Sequence, residues 1–198
     1  QRMVGNGAEV PTFGIYANQD WPDPDKGQAA MITRMDGDIG RLLDLLRELS
    51  IDENTLVFFT SDNGPHDESN LERFNPSGPL TGIKRSLTEG GVRVPMIARW
   101  PAKIKAGAVS EHVGYFADVL PTLMNLTGAE TEVSTDGISF LPTLTSSGEQ
   151  KEHEYLYWEF YEKGVSQAVL LAGRWKAIRL KEVTAPLLLY DLAHDIGE

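Results

Sequence analysis

The sequence contains no cysteine, no long apolar run and no excess of positive charge. Without cysteine the chain cannot form a disulfide or use a thiol as a nucleophile or metal ligand, and its redox compartment cannot be read from cysteine usage. No apolar run approaches the roughly 20 residues that a membrane-spanning helix needs. The net charge of -11 argues against nucleic acid as a partner, because phosphate binding requires an excess of lysine and arginine.

The composition is that of an ordinary globular protein. Of the 198 residues, 41% are hydrophobic and 24% are charged, which excludes a disordered or fibrous chain. A chain of this length can bury one sizeable core and a small satellite core.

The most informative local feature is an apolar run over 55–60 that ends in Asp62, Asn63 and Gly64. Such a run is typical of a buried parallel strand, and ligands of open α/β sheets lie beyond the carboxyl ends of the strands. Two adjacent oxygen donors suit Ca²⁺ or Mg²⁺ better than a transition metal. A simple strand followed by an Asx turn is the alternative interpretation of these residues.

Two further motifs follow in order, GIKR at 82–85 and EGGVRVPMIARWP at 89–101. Together with SDNG at 61–64, they resemble the sulfatase family, specifically arylsulfatases and enzymes of the N-acetylgalactosamine-6-sulfatase type. The similarity extends upstream into 30–36 and downstream into 118–122 and 189–192, and so covers nearly the whole chain.

The resemblance implies particular roles for four residues. Asp62 and Asn63 match two ligands of a Ca²⁺ ion that polarises the sulfate ester as a Lewis acid. Lys84 matches a family lysine that contacts the sulfate and the leaving-group oxygen, whereas an isolated lysine would be interpreted as a solvated surface residue. His66 follows the metal pair and either contacts the sulfate or a sugar hydroxyl, or caps its own loop.

The family nucleophile is absent from this sequence. Sulfatases form it as formylglycine from the first residue of a C/S-x-P-x-R motif, and 77–81 carries Thr81 where that motif has arginine. We therefore expect this chain to be the C-terminal portion of a longer enzyme, inactive alone and partnered by the missing N-terminal half. The resemblance also implies a sulfated small molecule or glycan as substrate and a periplasmic or secreted location.

Basic residues concentrate around the second and third motifs. Residues 83–105 contain six lysines and arginines against one acid, Glu89, in a chain of net charge -11. A local positive field of this kind attracts an anionic substrate. Arg93 and Arg99 border or lie within a predicted strand, and we expect them to be structural ion-pair partners.

The predicted architecture is an incomplete alkaline-phosphatase-like (sulfatase) α/β layer followed by a small antiparallel β subdomain. We assign 1–130 to the α/β part, 131–150 to a connection and 151–198 to the β subdomain. An amphipathic helix capped by Asp23 should pack on a sheet. Further elements are predicted as a buried strand at 94–100, a helix over 115–126 stopped by Gly128, and four β-prone runs at 155–160, 166–171, 175–180 and 186–190.

The sequence leaves several alternatives open. A relative in the alkaline phosphatase superfamily that hydrolyses phosphate or phosphonate esters would share the metal geometry, although the motifs at 82–85 and 89–101 favour a sulfatase. A non-catalytic fragment or pseudo-enzyme used in binding or assembly is the second alternative. The aromatic cluster of Tyr155, Tyr157, Trp158 and Tyr161 could stack on sugars or pack in a core. His112, His153 and His194 have no partner at metal-ligand spacing and are expected at the surface or in packing.

Overall fold

The computed structural model describes residues 9–68, 70–129, 134–162 and 164–198. The helices are α1 Asp23–Glu48, α2 Leu71–Phe74, α3 Glu89–Val92, α4 Val119–Thr127 and α5 Leu141–Thr145. The strands are β1 Val57–Thr60, β2 Met96–Arg99, β3 Tyr155–Phe160, β4 Ser166–Leu171, β5 Trp175–Arg179 and β6 Leu188–Asp191. Short 3-10 turns at Gly14–Tyr16, Asp52–Asn54 and Phe116–Asp118 complete the described elements.

Helix α1 has the predicted location but differs in its start and its packing. Pro22, not Asp23, is the N-cap, and Asp23 instead places a carboxylate in the first turn, where it interacts favourably with the helix dipole. The expectation that α1 packs on a sheet is wrong for the described residues. Its main contacts are the two 3-10 turns at 14–16 and 52–54, so apolar side chains such as Leu42 and Leu45 stay about half exposed.

Strands β1 and β2 form a two-stranded antiparallel sheet, in which Val57 pairs with Arg99 and Thr60 with Met96. Both predicted strands are present, but the parallel direction predicted for 55–60 is wrong for the described chain, and neither β1 nor β2 is buried as predicted. Ile97 remains 59% exposed, because nothing in the described residues covers this face of the pair. The pairing places the end of β1 beside the start of β2, so the loop after β1 and the loop before β2 lie at the same end of the sheet.

The connection after β1 is a long loop that α1 holds in place. Asp25, which is buried in the first turn of α1, accepts hydrogen bonds from Asn70 Nδ2 at 2.8 Å and Arg73 Nε at 2.7 Å. Asn70 in turn caps α2 by accepting from the backbone N–H of Arg73. These contacts fix the middle of the loop that joins the first motif to the second.

Helix α4 ends as predicted, with Gly128 in the left-handed conformation. Its N-terminal end contains a buried polar cluster centred on Asp118, whose carboxylate accepts from the backbone N–H groups of Tyr115 and Ile138. The same carboxylate lies 2.8 Å from Nε2 of His153, whose side chain is nine-tenths buried. His153 is therefore a packing residue with a specific partner, and the cluster ties α4 to the segment before β3.

The C-terminal sheet confirms the four predicted strands, in the antiparallel order β3-β4-β5-β6. Ala172 and Gly173 both have positive φ, as a tight type I′ hairpin between β4 and β5 requires. One face of the sheet buries Ala168 and Ile178 against Leu87, which lies just before α3. Trp158 packs on this buried face, whereas Tyr155, Tyr157 and Tyr161 are exposed, so the aromatic cluster divides between the two faces.

Candidate functional site

The three sequence motifs meet at one junction, which backbone hydrogen bonds hold together. The N–H of Gly64 donates to Gly91 O at 2.9 Å, which joins the first motif to the third. The N–H of Lys84 donates to Pro65 O at 2.8 Å, and that of Gly90 to Thr81 O at 2.7 Å. The loops after β1, around Lys84 and at α3 therefore form one connected unit.

The glycines of the motifs are required by the close approach of these backbones. A Cβ on Gly64 would lie 1.8 Å from Gly90 O, and a Cβ on Gly90 would lie 2.3 Å from Gly82 O. Contacts this short are excluded for any side chain, and backbone atoms cannot move aside cheaply. The glycines are thus explained by packing, and the polar residues beside them remain available for chemistry.

Asp62 and Asn63 lie at this junction with their side chains uncommitted. Asp62 is exposed and Asn63 is partly buried, and neither side chain has a hydrogen bond or ion pair to any residue that the structure describes. Within the same ranges there is no cluster of three or more acidic or histidine side chains that could hold a metal. Ca²⁺ takes six to eight oxygens, so two hard donors alone are too few to form a site for it.

Lys84 is placed by its backbone, and its ammonium is left free. The side chain is partly buried and has no carboxylate partner among the described residues. Most lysines of this exposure are solvated or paired, whereas this one lies in the loop bonded directly to the 62–66 segment. A free ammonium at this position can neutralise an anionic group held by the same loop.

His66 is engaged by its own loop. Its Nδ1 lies 2.8 Å from Asp67 Oδ1 and 3.2 Å from the backbone N of Glu68. When protonated, Nδ1 donates to Asp67; when neutral, with the proton on Nε2, it accepts from Glu68. The loop-capping role is thus visible in the geometry, and a catalytic role for His66 stays a prediction.

Arg93 and Arg99 are ion-pair partners, as predicted. Arg99 donates to Asp52 through both terminal nitrogens, at 2.7 and 2.8 Å, and this hydrogen bonding lowers the pKa of Asp52. Arg93 lies 3.6 Å from Glu89 Oε2, one helical turn away. Two of the six basic residues in 83–105 therefore form ion pairs within the fold. Of the other four, Lys84 and Arg85 lie nearest the junction.

A buried ionic cluster behind the junction lies outside the sequence predictions. Lys176, fully buried in β5, lies 2.6 Å from Glu89 Oε1 and 3.5 Å from Glu198 Oε1. Glu198 Oε2 accepts from the backbone N–H of Glu89. Burial raises the pKa of Glu198. The cluster fixes the first residue of α3 and so supports the Gly90–Gly91 segment on which the other two loops rest.

One signal for this cluster is present in the sequence. Strand alternation places Lys176 on the same face as Ile178, and a lysine on a buried face requires a carboxylate partner. The identity of that partner could not be found by spacing, because Glu89 is 87 positions away along the chain.

Oxygen donors and an ammonium that bond to none of the described side chains, among neighbouring basic residues, are groups that binding an anionic ester requires, and they lie in a mixed α/β fold. The sulfatase family model matches residues 12–129, and the C-terminal model of N-sulphoglucosamine sulphohydrolase matches residues 83–198. The chain belongs to the sulfatase family.

Two curated relatives illustrate the similarity. The N-acetylgalactosamine-6-sulfatase of Canis lupus familiaris is 35% identical over 148 residues, which cover 74% of this chain and 27% of that protein. The steryl-sulfatase of Mus musculus is 37% identical over 201 residues, covering 84% of this chain and 32% of that protein. The chain thus spans about a third or less of the length of these relatives.

Solved structures share the fold. Ps i-CgsB, determined in complex with k-i-k-neocarrahexaose, superposes with a TM-score of 0.78 at 30% identity, covering 91% of this chain and 39% of that one. The phosphonate monoester hydrolase of Agrobacterium radiobacter superposes with a TM-score of 0.67 at 24% identity, covering 89% and 37%, which shows a common fold alone. The alkaline-phosphatase-like fold class predicted from the sequence is confirmed. In the described ranges, no helix has the length and apolar character needed to cross a membrane.

Proposed function

We propose that this chain is part of a longer sulfatase polypeptide that hydrolyses sulfate esters of aryl compounds or glycans. The observation that carries the proposal is the junction itself. There, the side-chain oxygens of Asp62 and Asn63 and the ammonium of Lys84, which have no partner in the part of the chain that the structure describes, belong to loops bonded to one another. The short coverage of the relatives supports the longer polypeptide. A periplasmic or secreted location is proposed by analogy with the family.

In this proposal each residue has a defined task. Asp62 and Asn63 hold a Ca²⁺ ion, together with ligands supplied from outside this chain; when bound, the ion polarises the sulfate ester as a Lewis acid. Lys84 stabilises negative charge on the sulfate and on the departing oxygen. The nucleophile is proposed to be a formylglycine outside this chain. Gly64, Gly90 and Gly91 keep the donors in position by allowing the backbones to touch.

Hydrolysis of phosphate or phosphonate esters is the second candidate function. Its support is the fold shared with a phosphonate monoester hydrolase, which alone says nothing about the reaction. The resemblance of 82–85 and 89–101 to sulfatase motifs favours the sulfate ester.

The test uses the longer polypeptide with 4-nitrophenyl sulfate and 4-nitrophenyl phosphate as paired substrates. We expect faster turnover of the sulfate. Lys84→Ala should lower kcat by about 10²-fold with a smaller change in KM, because a cation directed at developing charge acts in the transition state. Asp62→Ala should abolish activity and reduce bound metal.

Arg93→Ala is the matched control, since Arg93 pairs with Glu89 and contacts no proposed substrate group. It should retain turnover and lose at most a little stability, because its side chain is 56% exposed. Activity that survives Lys84→Ala but disappears in a folded Arg93→Ala variant would show that Lys84 does not contact the sulfate. Preference for the phosphate would favour the second candidate.

A further inference from the structure

Arg85 occupies a backbone position that disfavours a side chain. It is the third residue of a tight turn closed by the hydrogen bond from Ser86 N to Ile83 O at 2.9 Å, and its φ is 77°. Turns with a positive φ at this position usually carry glycine there. For a residue with a Cβ, the left-handed conformation costs about 1–2 kcal/mol.

The contacts of Arg85 do not offset this cost. Its side chain is 56% exposed, and its Nε lies 3.0 Å from Glu162 Oε2, which is itself 41% exposed. An ion pair exposed to this degree contributes about 0–1 kcal/mol. No aligned hydrogen bond from the guanidinium to a residue within the described ranges adds to it. Arginine is therefore not at this position for the stability of the fold, and strained residues of this kind concentrate at functional sites.

We propose that Arg85 is a specificity-determining residue that binds a second anionic group of the substrate, beside the sulfate contacted by Lys84. This inference rests on the proposed function. Lys84 and Arg85 are consecutive residues in the turn, so two cationic side chains leave the backbone at adjacent Cα atoms beside the loops of the junction. The planar guanidinium suits bidentate binding of a sulfate or carboxylate, whereas the ammonium of Lys84 acts as a point charge.

Glu162 orients Arg85 from the connection that follows β3. The ion pair engages Nε, and the terminal nitrogens, which donate to no residue that the structure describes, can donate to a ligand. Because Glu162 belongs to the C-terminal sheet region, this region contributes to substrate choice as well as to the core. The preferred substrate class is a glycan that carries two anionic groups on the same or adjacent sugars.

The experiment compares wild type, Arg85→Gly and the control Arg93→Ala in the longer polypeptide. Arg93 is a suitable control because its side chain has the same 56% exposure and also pairs with a glutamate, but its φ is negative. The substrates are D-glucosamine 2-N,6-O-disulfate, D-glucosamine 6-sulfate and 4-nitrophenyl sulfate. Initial rates give kcat and KM, and calorimetry gives equilibrium binding of the two sugars.

Arg85→Gly should keep or raise the Tm, because glycine relieves the turn. We expect its KM and Kd for the disulfated sugar to rise about tenfold or more, as for loss of a charge-assisted hydrogen bond, with kcat unchanged. Its constants for the two singly sulfated compounds should change by less than about twofold, and Arg93→Ala should match wild type.

Equal losses on all three compounds, or no loss on the disulfated sugar, would overturn the proposal. Calorimetry separates this failure from failure of the proposed function. If wild type hydrolyses none of the esters, the proposed function is wrong, whereas a selective loss of disulfate binding in Arg85→Gly would still support the role of Arg85.

Discussion

Replacing Lys176 should destabilise the protein strongly, because it leaves carboxylates buried without a cation. Its Nζ lies 2.6 Å from Glu89 Oε1, 3.5 Å from Glu198 Oε1 and 5.8 Å from the centre of the Trp158 ring. Lys176→Met keeps most of the length and the apolar contacts of the side chain and removes only the charge. The effect of the variant can therefore be assigned to the ion pairs.

The magnitude follows from the burial of both partners. Lys176 and Glu89 are 0% and 5% exposed at the side chain, and breaking a buried pair by removing one partner costs about 3–5 kcal/mol. For a protein of about 150–250 residues, 1 kcal/mol corresponds to about 2–4 °C in Tm, so Lys176→Met should lower Tm by about 6–20 °C. The double variant Lys176→Met/Glu89→Gln should recover part of this loss, since the amide is cheaper to bury than the carboxylate.

Because of Glu198, the stability loss in Lys176→Met should depend on pH. Burial raises the pKa of Glu198, and a carboxyl group with a raised folded-state pKa contributes stability that is lost as pH rises through that pKa. Without the Lys176 ammonium this pKa should rise further, because a nearby cation favours the charged form. The free energy of unfolding that Lys176→Met loses relative to wild type should thus be larger at pH 8 than at pH 5.

Urea denaturation at pH 5 and pH 8 measures the loss of unfolding free energy, with Arg93→Ala as the surface ion-pair control. A loss below about 1 kcal/mol for Lys176→Met, equal to that of the control, would refute the reasoning, because it would place Lys176 in water.

The remaining predictions concern the chain alone and its loops. The isolated 198-residue chain should show no turnover of 4-nitrophenyl sulfate in Ca²⁺, since it lacks the proposed nucleophile; activity that survives repurification would contradict this. Calorimetry should detect weak or no Ca²⁺ binding to the isolated chain, because Asp62 and Asn63 supply about two of six to eight ligands, and tight binding would mean that the site is elsewhere. Gly64→Ala should prevent folding or abolish soluble expression, since its Cβ would lie 1.8 Å from Gly90 O, and a stable variant would disprove that contact. Hydrogen bonds from Tyr157, Tyr161 and Gln167 lower the pKa of Glu159 to about 2, so this group contributes stability that is lost as pH drops from about 4.5 towards 2; Glu159→Gln should make the fall of stability in acid denaturation shallower, and an unchanged slope would exclude the network.

The strands and the main helices could be located from the sequence because their signals are local. Alternation and turn residues place β3 to β6, and Gly128 marks the end of α4. The direction of β1 could not be read in the same way, since an apolar run is compatible with either orientation, and its partner β2 follows only after a long loop.

The site shows the same division between local and distant information. Motifs lead to Asp62, Asn63 and Lys84 as the proposed site residues, and the hydrogen bonds among their loops explain why these motifs occur together. Lys176 pairs with Glu89, which is 87 positions away along the chain, and His153 pairs with Asp118, which is 35 positions away. Contacts at such separations depend on the whole fold, and neither residue spacing nor propensity reveals them. Arg85 is one of six basic residues in 83–105, and a positive φ distinguishes it from the other five.

The pairing of Thr60 with Met96 closes the base of the segment 61–95. A segment whose two ends are fixed to each other can change in length at low entropic cost, since closure cost grows only with the logarithm of length. Along the chain, the oxygens at 62–63 lie next to one end of the segment and α3 lies next to the other. Residues 75–80 lie near its middle and contact the junction through Ser77 Oγ, which donates to Gly82 O at 3.1 Å. Insertions or deletions in 75–80 would therefore act on the Lys84 turn through Gly82, whereas the strand pair holds the proposed metal donors at 62–63 whatever the length of the segment.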